Sequence, residues 1–247
     1  MTRKKRIALI SIAGIICIFL IVLGVAIGIY LGDYYHADEE NVDAFLETSW
    51  VEIKEIDKNK IAFVPESPNA GFIFYPGGKV EAEAYYPLMA ECARNGILSV
   101  IVEMPFNLAV FNINAAEGIK DEFPNVEKWY IGGHSLGGSM AASHLDKNRE
   151  DYDGLILLGS YSTADFSDGD MLVLSIYGEN DGVMNREKYD KYKDNLGNLT
   201  EHEIIGGNHA GFGMYGAQKG DGVAEISNLE QIKETATIVS NFIGANR

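Results

Sequence analysis

The sequence predicts an α/β domain with a mostly parallel central sheet and helices on both faces, preceded by one transmembrane helix. Three observations carry this reading. After Gly71, apolar runs of strand length alternate with helix-length segments, the pattern of βαβ units. Those runs are continuous rather than alternating, as in strands buried on both faces. Near the start of the chain, 25 uncharged residues follow a basic cluster. That exceeds the roughly 20 a helix needs to cross a bilayer.

The elements follow in order. Arg3, Lys4, Lys5 and Arg6 form the cluster, which assigns residues 1–6 to a cytoplasmic segment and residues 7–31 to a transmembrane anchor. Basic residues stay on the cytoplasmic side, so everything from Gly32 onward is expected outside the cell membrane. A cleaved signal peptide shares this charge order. Its apolar region is usually about 7–15 residues and ends in a small-x-small site, whereas Tyr30, Leu31 and Tyr34 are bulky. A lipoprotein signal would need small residues before its cysteine, and Cys17 follows Ile15 and Ile16. Residues 32–40 read as a polar connector, and 41–247 as the folded domain.

Within that domain, residues 41–48 read as a short amphipathic helix. Residues 50–56 and 61–65 flank the turn Asp57-Lys58-Asn59-Lys60 and predict an antiparallel hairpin. Strands are expected over 72–75, 98–102, 129–131, 155–158, 171–177 and 202–205. Helices are expected over 82–94, 115–123, 138–147 and 185–194, with a closing helix over 229–243. Right-handed crossovers then distribute the helices over both faces.

Composition narrows the function. The chain has 247 residues, 47% hydrophobic and 23% charged, enough for one large core plus an appendage. Residues 32–247 hold 16 basic and 36 acidic residues, a formal net charge of −20. Such a surface is unsuited to nucleic acid or to an anionic membrane surface. Of the two cysteines, Cys17 lies in the apolar span, so the domain has no internal disulfide. Cys92 reads as a small buried hydrophobe. No Cys/His spacing suggests a metal site, and neither metal nor cofactor is expected.

The chemistry centres on Gly132-Gly133-His134-Ser135-Leu136-Gly137-Gly138, between a strand and a helical pattern. This is G-x-S-x-G in the strand–turn–helix context that lifts a serine hydroxyl above a sheet edge. Residues two before and two after the serine approach each other, so both are glycine. The motif alone is weak in a chain with 27 glycines, but three further features support it. Tyr177-Gly178-Glu179-Asn180-Asp181-Gly182 follows a later strand, where Asp181 is the expected acid and Glu179 its rival. Of five histidines, only His209 falls in a loop after the last strand. Ser135, Asp181 and His209 thus stand in serine–acid–histidine order. Finally, Pro76-Gly77-Gly78-Lys79 follows the 72–75 strand. Its Gly78 N–H, or Lys79 as a near alternative, would join the Leu136 N–H in binding an oxyanion.

The strings YPGGKVE, EMPFNLAVFN, WYIGGHSLGGSMAA, YGENDG and GGNHAGFGMYG resemble a bacterial α/β-hydrolase family, close in fold to dienelactone hydrolases and small esterases. The resemblance spans residues 70–240 and implies the α/β-hydrolase fold and the same triad, here with serine rather than cysteine as nucleophile. It implies no substrate. The expected function is therefore a serine hydrolase acting on a small-molecule or cell-surface carboxylic ester. A thioesterase, acyltransferase or peptidase would use the same residues, and a silent surface-binding module could keep the fold. Only 12 residues, 159–170, separate two strands where many such proteins insert a lid. No sizeable lid is expected, and Phe106, Asn107, Phe212 and Tyr215 are expected to border an open site.

Overall fold

A computed structural model describes residues 3–246. Of the basic segment expected over residues 1–6, residues 1 and 2 lie outside the described part. Helix α1, Arg3–Gly32, contains a stretch over Gly14–Gly32 with mean hydropathy 2.9, long and apolar enough to cross a membrane. The chain divides into two compact units, Met1–Tyr34 and Tyr35–Arg247. Tyr35 already forms a parallel bridge with Val80; its N–H donates to Lys79 O (2.7 Å) and its carbonyl accepts from Glu81 N–H (3.1 Å).

The second unit begins with α2, Glu39–Glu47, capped by the Asp38 side chain. The hairpin follows as β1, Glu52–Asp57, and β2, Lys60–Val64. Then come β3 (Ala70–Tyr75), α3 (Tyr86–Arg94, entered through a 3₁₀ turn), β4 (Ile97–Val102), β5 (Trp129–His134) and α4 (Leu136–Leu145). The remaining elements are β6 (Gly154–Leu158), β7 (Leu172–Gly178), α5 (Arg186–Tyr192), β8 (Asn198–Ile204) and α6 (Asn228–Ala245). The eight strands form one sheet in the order β1-β2-β4-β3-β5-β6-β7-β8. The β1–β2 and β2–β4 pairs are antiparallel, and every other pair is parallel.

Alternation along β3 builds the two core faces. Phe72 and Phe74 pack with Leu88 and Met89 of α3 and with Ile232 and Val239 of α6. Ile73 and Tyr75 pack on the other face with Ala141, Ala142 and Leu145 of α4. Each of the Phe, Leu, Met, Ile and Val side chains contributes about 1.5–3 kcal/mol on burial. With α3 and α4 on opposite faces, the connections leaving β3 and β5 diverge. A crevice opens at the carboxyl ends of these adjacent strands, the switch point where open α/β sheets bind ligands.

Two sequence expectations are corrected. Residues 115–123 do not form an α-helix; they run as turns with one 3₁₀ turn, Lys120–Glu122. Gly118 sits at φ +78, and the Tyr75 hydroxyl takes over local hydrogen bonding. It accepts from Ala116 N–H (2.9 Å) and donates to Ile113 O (2.8 Å). The last strand begins at Asn198 rather than 202, which leaves His202 inside it. That strand lies at the sheet edge, and most of its residues are exposed. Its polar first half therefore hides from a search for apolar runs. The segment between β6 and β7 carries no helix, as its length predicts.

Candidate active site

Loops after the six parallel strands β3 to β8 meet at the carboxyl edge of the sheet. The central one is the turn from β5 into α4. Ser135 adopts φ 52, ψ −121, a left-handed conformation that costs an L-residue on the order of 1–3 kcal/mol. It is held there by its N–H donating to Leu158 O (2.9 Å) and its carbonyl accepting from Ser160 Oγ (2.6 Å). A Cβ on Gly133 would strike Tyr75 O, and one on Gly137 would strike the carbonyls of Tyr75 and Pro76. The elbow glycines thus answer to the neighbouring β3 loop as well as to each other.

The loop after β7 carries Asp181. Its Oδ1 accepts from the N–H groups of Val183 (2.9 Å) and Met184 (2.8 Å). Its Oδ2 accepts from His209 Nδ1 at 2.8 Å, with both side chains fully buried. Glu179, the rival acid, accepts instead from Gly206 N–H (2.9 Å) and braces the base of the histidine loop.

That pairing leaves His209 Nε2 buried with no hydrogen-bond partner. The ring lies against Gly159, whose Cβ position would be 2.9 Å from Nδ1, and its centroid is 4.4 Å from that of His134 beside the serine. Among the described residues no hydrogen bond joins Ser135 Oγ to Nε2. Such bonds are often long without substrate and tighten when it binds. His134 is bonded through Nδ1, and its Nε2, like that of His209, is buried without a partner. Gly77 N–H donates to the Tyr85 hydroxyl (3.2 Å), and that hydroxyl is hydrogen-bonded to His134 Nδ1 (2.8 Å). Burial, reinforced by nearby His209, holds the His134 pKa well below the usual histidine range, so it stays neutral.

The two expected oxyanion donors are neighbours. A Cβ on Gly78 would lie 3.2 Å from Leu136 Cβ. The N–H groups of Gly78 and of Leu136, the first residue of α4, have no partner among the described residues. Lys79 N–H is occupied by Asn107 O at 2.7 Å, which removes it as the alternative. Asn107 and Phe106 are consecutive left-handed residues, at φ 55 and 56. Phe106 is 60% exposed and meets Phe111 edge-on beside this loop.

The expected rim is corrected on its far side. Phe212 is fully buried, 5.4 Å from the His134 ring centroid, and Tyr215 is buried against Tyr85 and Tyr35. They support the site from within and offer no surface to a ligand. The cavity at Ser135 opens the other way. It measures about 240 Å³ and is bordered by Leu136, Ser139, Gly159, Ser160, Tyr161, Val183, Met184 and Asn185. Two depressions of about 520 Å³ lie elsewhere, one beside Trp50 and one along α2 and the start of α6; neither touches these groups. Among the described residues no group of three or more His, Cys, Asp or Glu is gathered as for a metal. Cys92 is fully buried, its thiol pushed up to about 12 by desolvation.

The sequence reading missed the loop after β6 that borders the cavity. It also missed two residues that hold the histidine loop. Gln231 of α6 accepts from Asn208 N–H (3.0 Å) and donates to Asn208 O (2.8 Å). Asp221 accepts from four backbone N–H groups around the acid and histidine loops. Asp221-Gly222 is one of four Asp-Gly pairs in the chain, so nothing in the sequence singles it out.

A model of the Alpha/beta hydrolase family matches residues 71–233. Among solved structures, esterase rPPE in complex with (S)-Ac-CPA is similar over 83% of this chain and 90% of its own, with 15% identity and TM-score 0.59. A CIB-like hydrolase from Thermoplasma acidophilum matches over 78% and 98%, with 15% identity and TM-score 0.55. Carboxyl esterase 2 from the mycorrhizal fungus Tuber melanosporum matches over 80% and 87%, with 12% identity and TM-score 0.56. At these identities the likeness is one of fold. No curated protein matches the chain.

Proposed function

The chain belongs to the alpha/beta hydrolase family, and from that premise we propose that it is a serine esterase whose triad is Ser135, Asp181 and His209. The observation that carries this reading is the buried His209–Asp181 pair. Asp181 holds Nδ1 as the protonated nitrogen, which leaves Nε2, buried and unpartnered, as the nitrogen free to take a proton.

The mechanism follows from these groups. His209 Nε2 takes the proton of Ser135 Oγ as the oxygen attacks an ester carbonyl, and Asp181 stabilises the imidazolium that results. The carbonyl oxygen becomes an oxyanion between the N–H groups of Gly78 and Leu136, a role for which donors already free of other partners are suited. The imidazolium returns its proton to the leaving alcohol. Water then attacks the acyl-enzyme by the same steps in reverse order.

The cavity bordered by Tyr161 and Met184 supports short acyl groups. At about 240 Å³ it exceeds a cavity of about 150 Å³ that holds benzene, but not by a long alkyl chain. Fluorophosphonate labelling of the protein and its Ser135→Ala variant, alongside hydrolysis of p-nitrophenyl esters of rising chain length, tests both points. An unlabelled wild type sinks the triad. A kcat/KM that climbs steadily to long chains sinks the small acyl site.

The apolar stretch Gly14–Gly32 and the Arg3–Arg6 cluster support a retained single-pass anchor with the domain outside the cell membrane. Protease added to intact cells with a permeable wall should cut the domain. Protection until the membrane is broken would reverse this topology.

A further inference from the structure

We propose that Asp221 is a positioning residue for the reaction, the side chain that sets His209 and Asp181 in register. This rests on the triad reading above. Asp221 lies on the chain between His209 and α6, yet its carboxylate reaches both catalytic loops. Oδ1 accepts from Gly182 N–H (3.1 Å), His209 N–H (3.2 Å) and Gly222 N–H (2.8 Å), and Oδ2 accepts from Ala210 N–H (2.8 Å). Gly182 directly follows the acid, and two of the other donors are the histidine's own amide and the next one along. One side chain therefore fixes the backbones on either side of the 2.8 Å Asp181–His209 bond.

The surroundings require a carboxylate at this point. Four N–H donors converge on it, and an ionised carboxylate is acceptor only, with room for about four such bonds. An amide would turn its own NH₂ group toward one of these donors. The segment cannot slide to compensate. A Cβ on Gly222 would strike Asn180 O, and one on Gly182 would lie 2.6 Å from Gly220 O, so the loops are in backbone contact. Glu179 and Gln231 each hold the histidine loop at one point. Among the described residues outside the two loops, Asp221 is the side chain that bonds to the backbones of both. A shift of about 1 Å in such a constellation costs on the order of 100-fold in rate.

The test is a double-mutant cycle in the full chain with p-nitrophenyl acetate as probe. Asp221→Ala is expected to lower kcat about 100-fold with KM changed less than threefold, in line with misalignment rather than lost binding. Asp221→Asn, which keeps one acceptor oxygen and guards against a folding failure of the alanine variant, should lose about tenfold. In a His209→Ala background, Asp221→Ala should change the residual rate less than about twofold, because the group it positions is gone. An undiminished loss in that background overturns the proposal, as does a wild-type kcat in both single variants. If His209→Ala alone keeps wild-type activity, the triad reading fails first, a result separable from either of these.

Discussion

The serine half and the histidine–acid half of this site are built in opposite ways. Ser135 is set by the main chain. A buried strand ends in glycines, the helix starts at once, and the left-handed turn between them has no room for a side chain at 133 or 137. Asp181 and His209 sit on loops whose shape comes from side chains reaching in from elsewhere: Glu179 to Gly206, Gln231 to Asn208, Asp221 to four amides. One half is written in a local motif and fixed mostly by backbone contacts, and the other is assembled by side chains over distance. The first half should therefore tolerate no change of shape, while the second should degrade by steps.

The largest effects test the chemistry that both halves share. Ser135→Ala should lower kcat by a factor on the order of 10⁶, as loss of a nucleophile does in another serine hydrolase. Its melting temperature should hold or rise, and a purified variant that still turns over would remove Ser135 from the mechanism. Asp181→Asn should cost about 10⁴-fold, the size reported for a protease aspartate whose loss imposes the wrong histidine tautomer. Glu179→Gln should cost only a few-fold, since Glu179 meets Gly206 N–H and not the imidazole. Kinetics in which these two acid variants exchange ranks would reassign the acid.

A smaller effect sharpens the contrast. Gln231→Leu breaks both bonds to Asn208 and leaves two polar groups of the histidine loop unsatisfied, costing about 1–3 kcal/mol for a buried group. The remaining braces should limit the loss of kcat to about tenfold. Chemical denaturation and steady-state kinetics read the two effects separately. A variant with wild-type stability would mean that Asn208 finds water in place of Gln231.

The same contrast explains what could be read in advance. Strands β3 to β7, the hairpin and the elbow were legible because burial on both faces, turn residues and crowded glycines each leave a local trace. The proposed triad was drawn from order along the chain, with His209 isolated by elimination. Residues 115–123 misled because Ala115, Ala116 and Ile119 are buried, which gives the segment an apolar rhythm. Their backbone is nonetheless tied to a tyrosine hydroxyl far off in sequence. Phe212 and Tyr215 misled because the loop after His209 can as well form the floor of the site as its rim. Asp221 and Gln231 left no trace, since a hydrogen bond to a backbone amide asks nothing recognisable of the partner's sequence.

The smallest expected effect lies where the two halves touch. The His134 ring is 4.4 Å from that of His209 and 5.4 Å from that of Phe212, and its Nδ1 is hydrogen-bonded to the Tyr85 hydroxyl. Burial, with His209 close by, pushes its pKa well below the ordinary 6.5. In the unfolded chain it protonates near that ordinary value, whereas in the folded chain it stays neutral to lower pH. The unfolded state therefore binds more protons below about pH 6.5, and stability falls as pH drops through that point. One such group contributes a slope of at most about 1.4 kcal/mol per pH unit. His144, also held low by burial, adds to the slope in the same direction. Replacing His134 with Asn keeps an acceptor for Tyr85 and removes the titration. The variant should be less stable at pH 7.5, through lost packing, and should lose less on going to pH 5, so that the two denaturation midpoints converge. Parallel midpoints across that range would show that His134 is not proton-linked to folding. The junction between the halves would then be more open to water than its burial indicates.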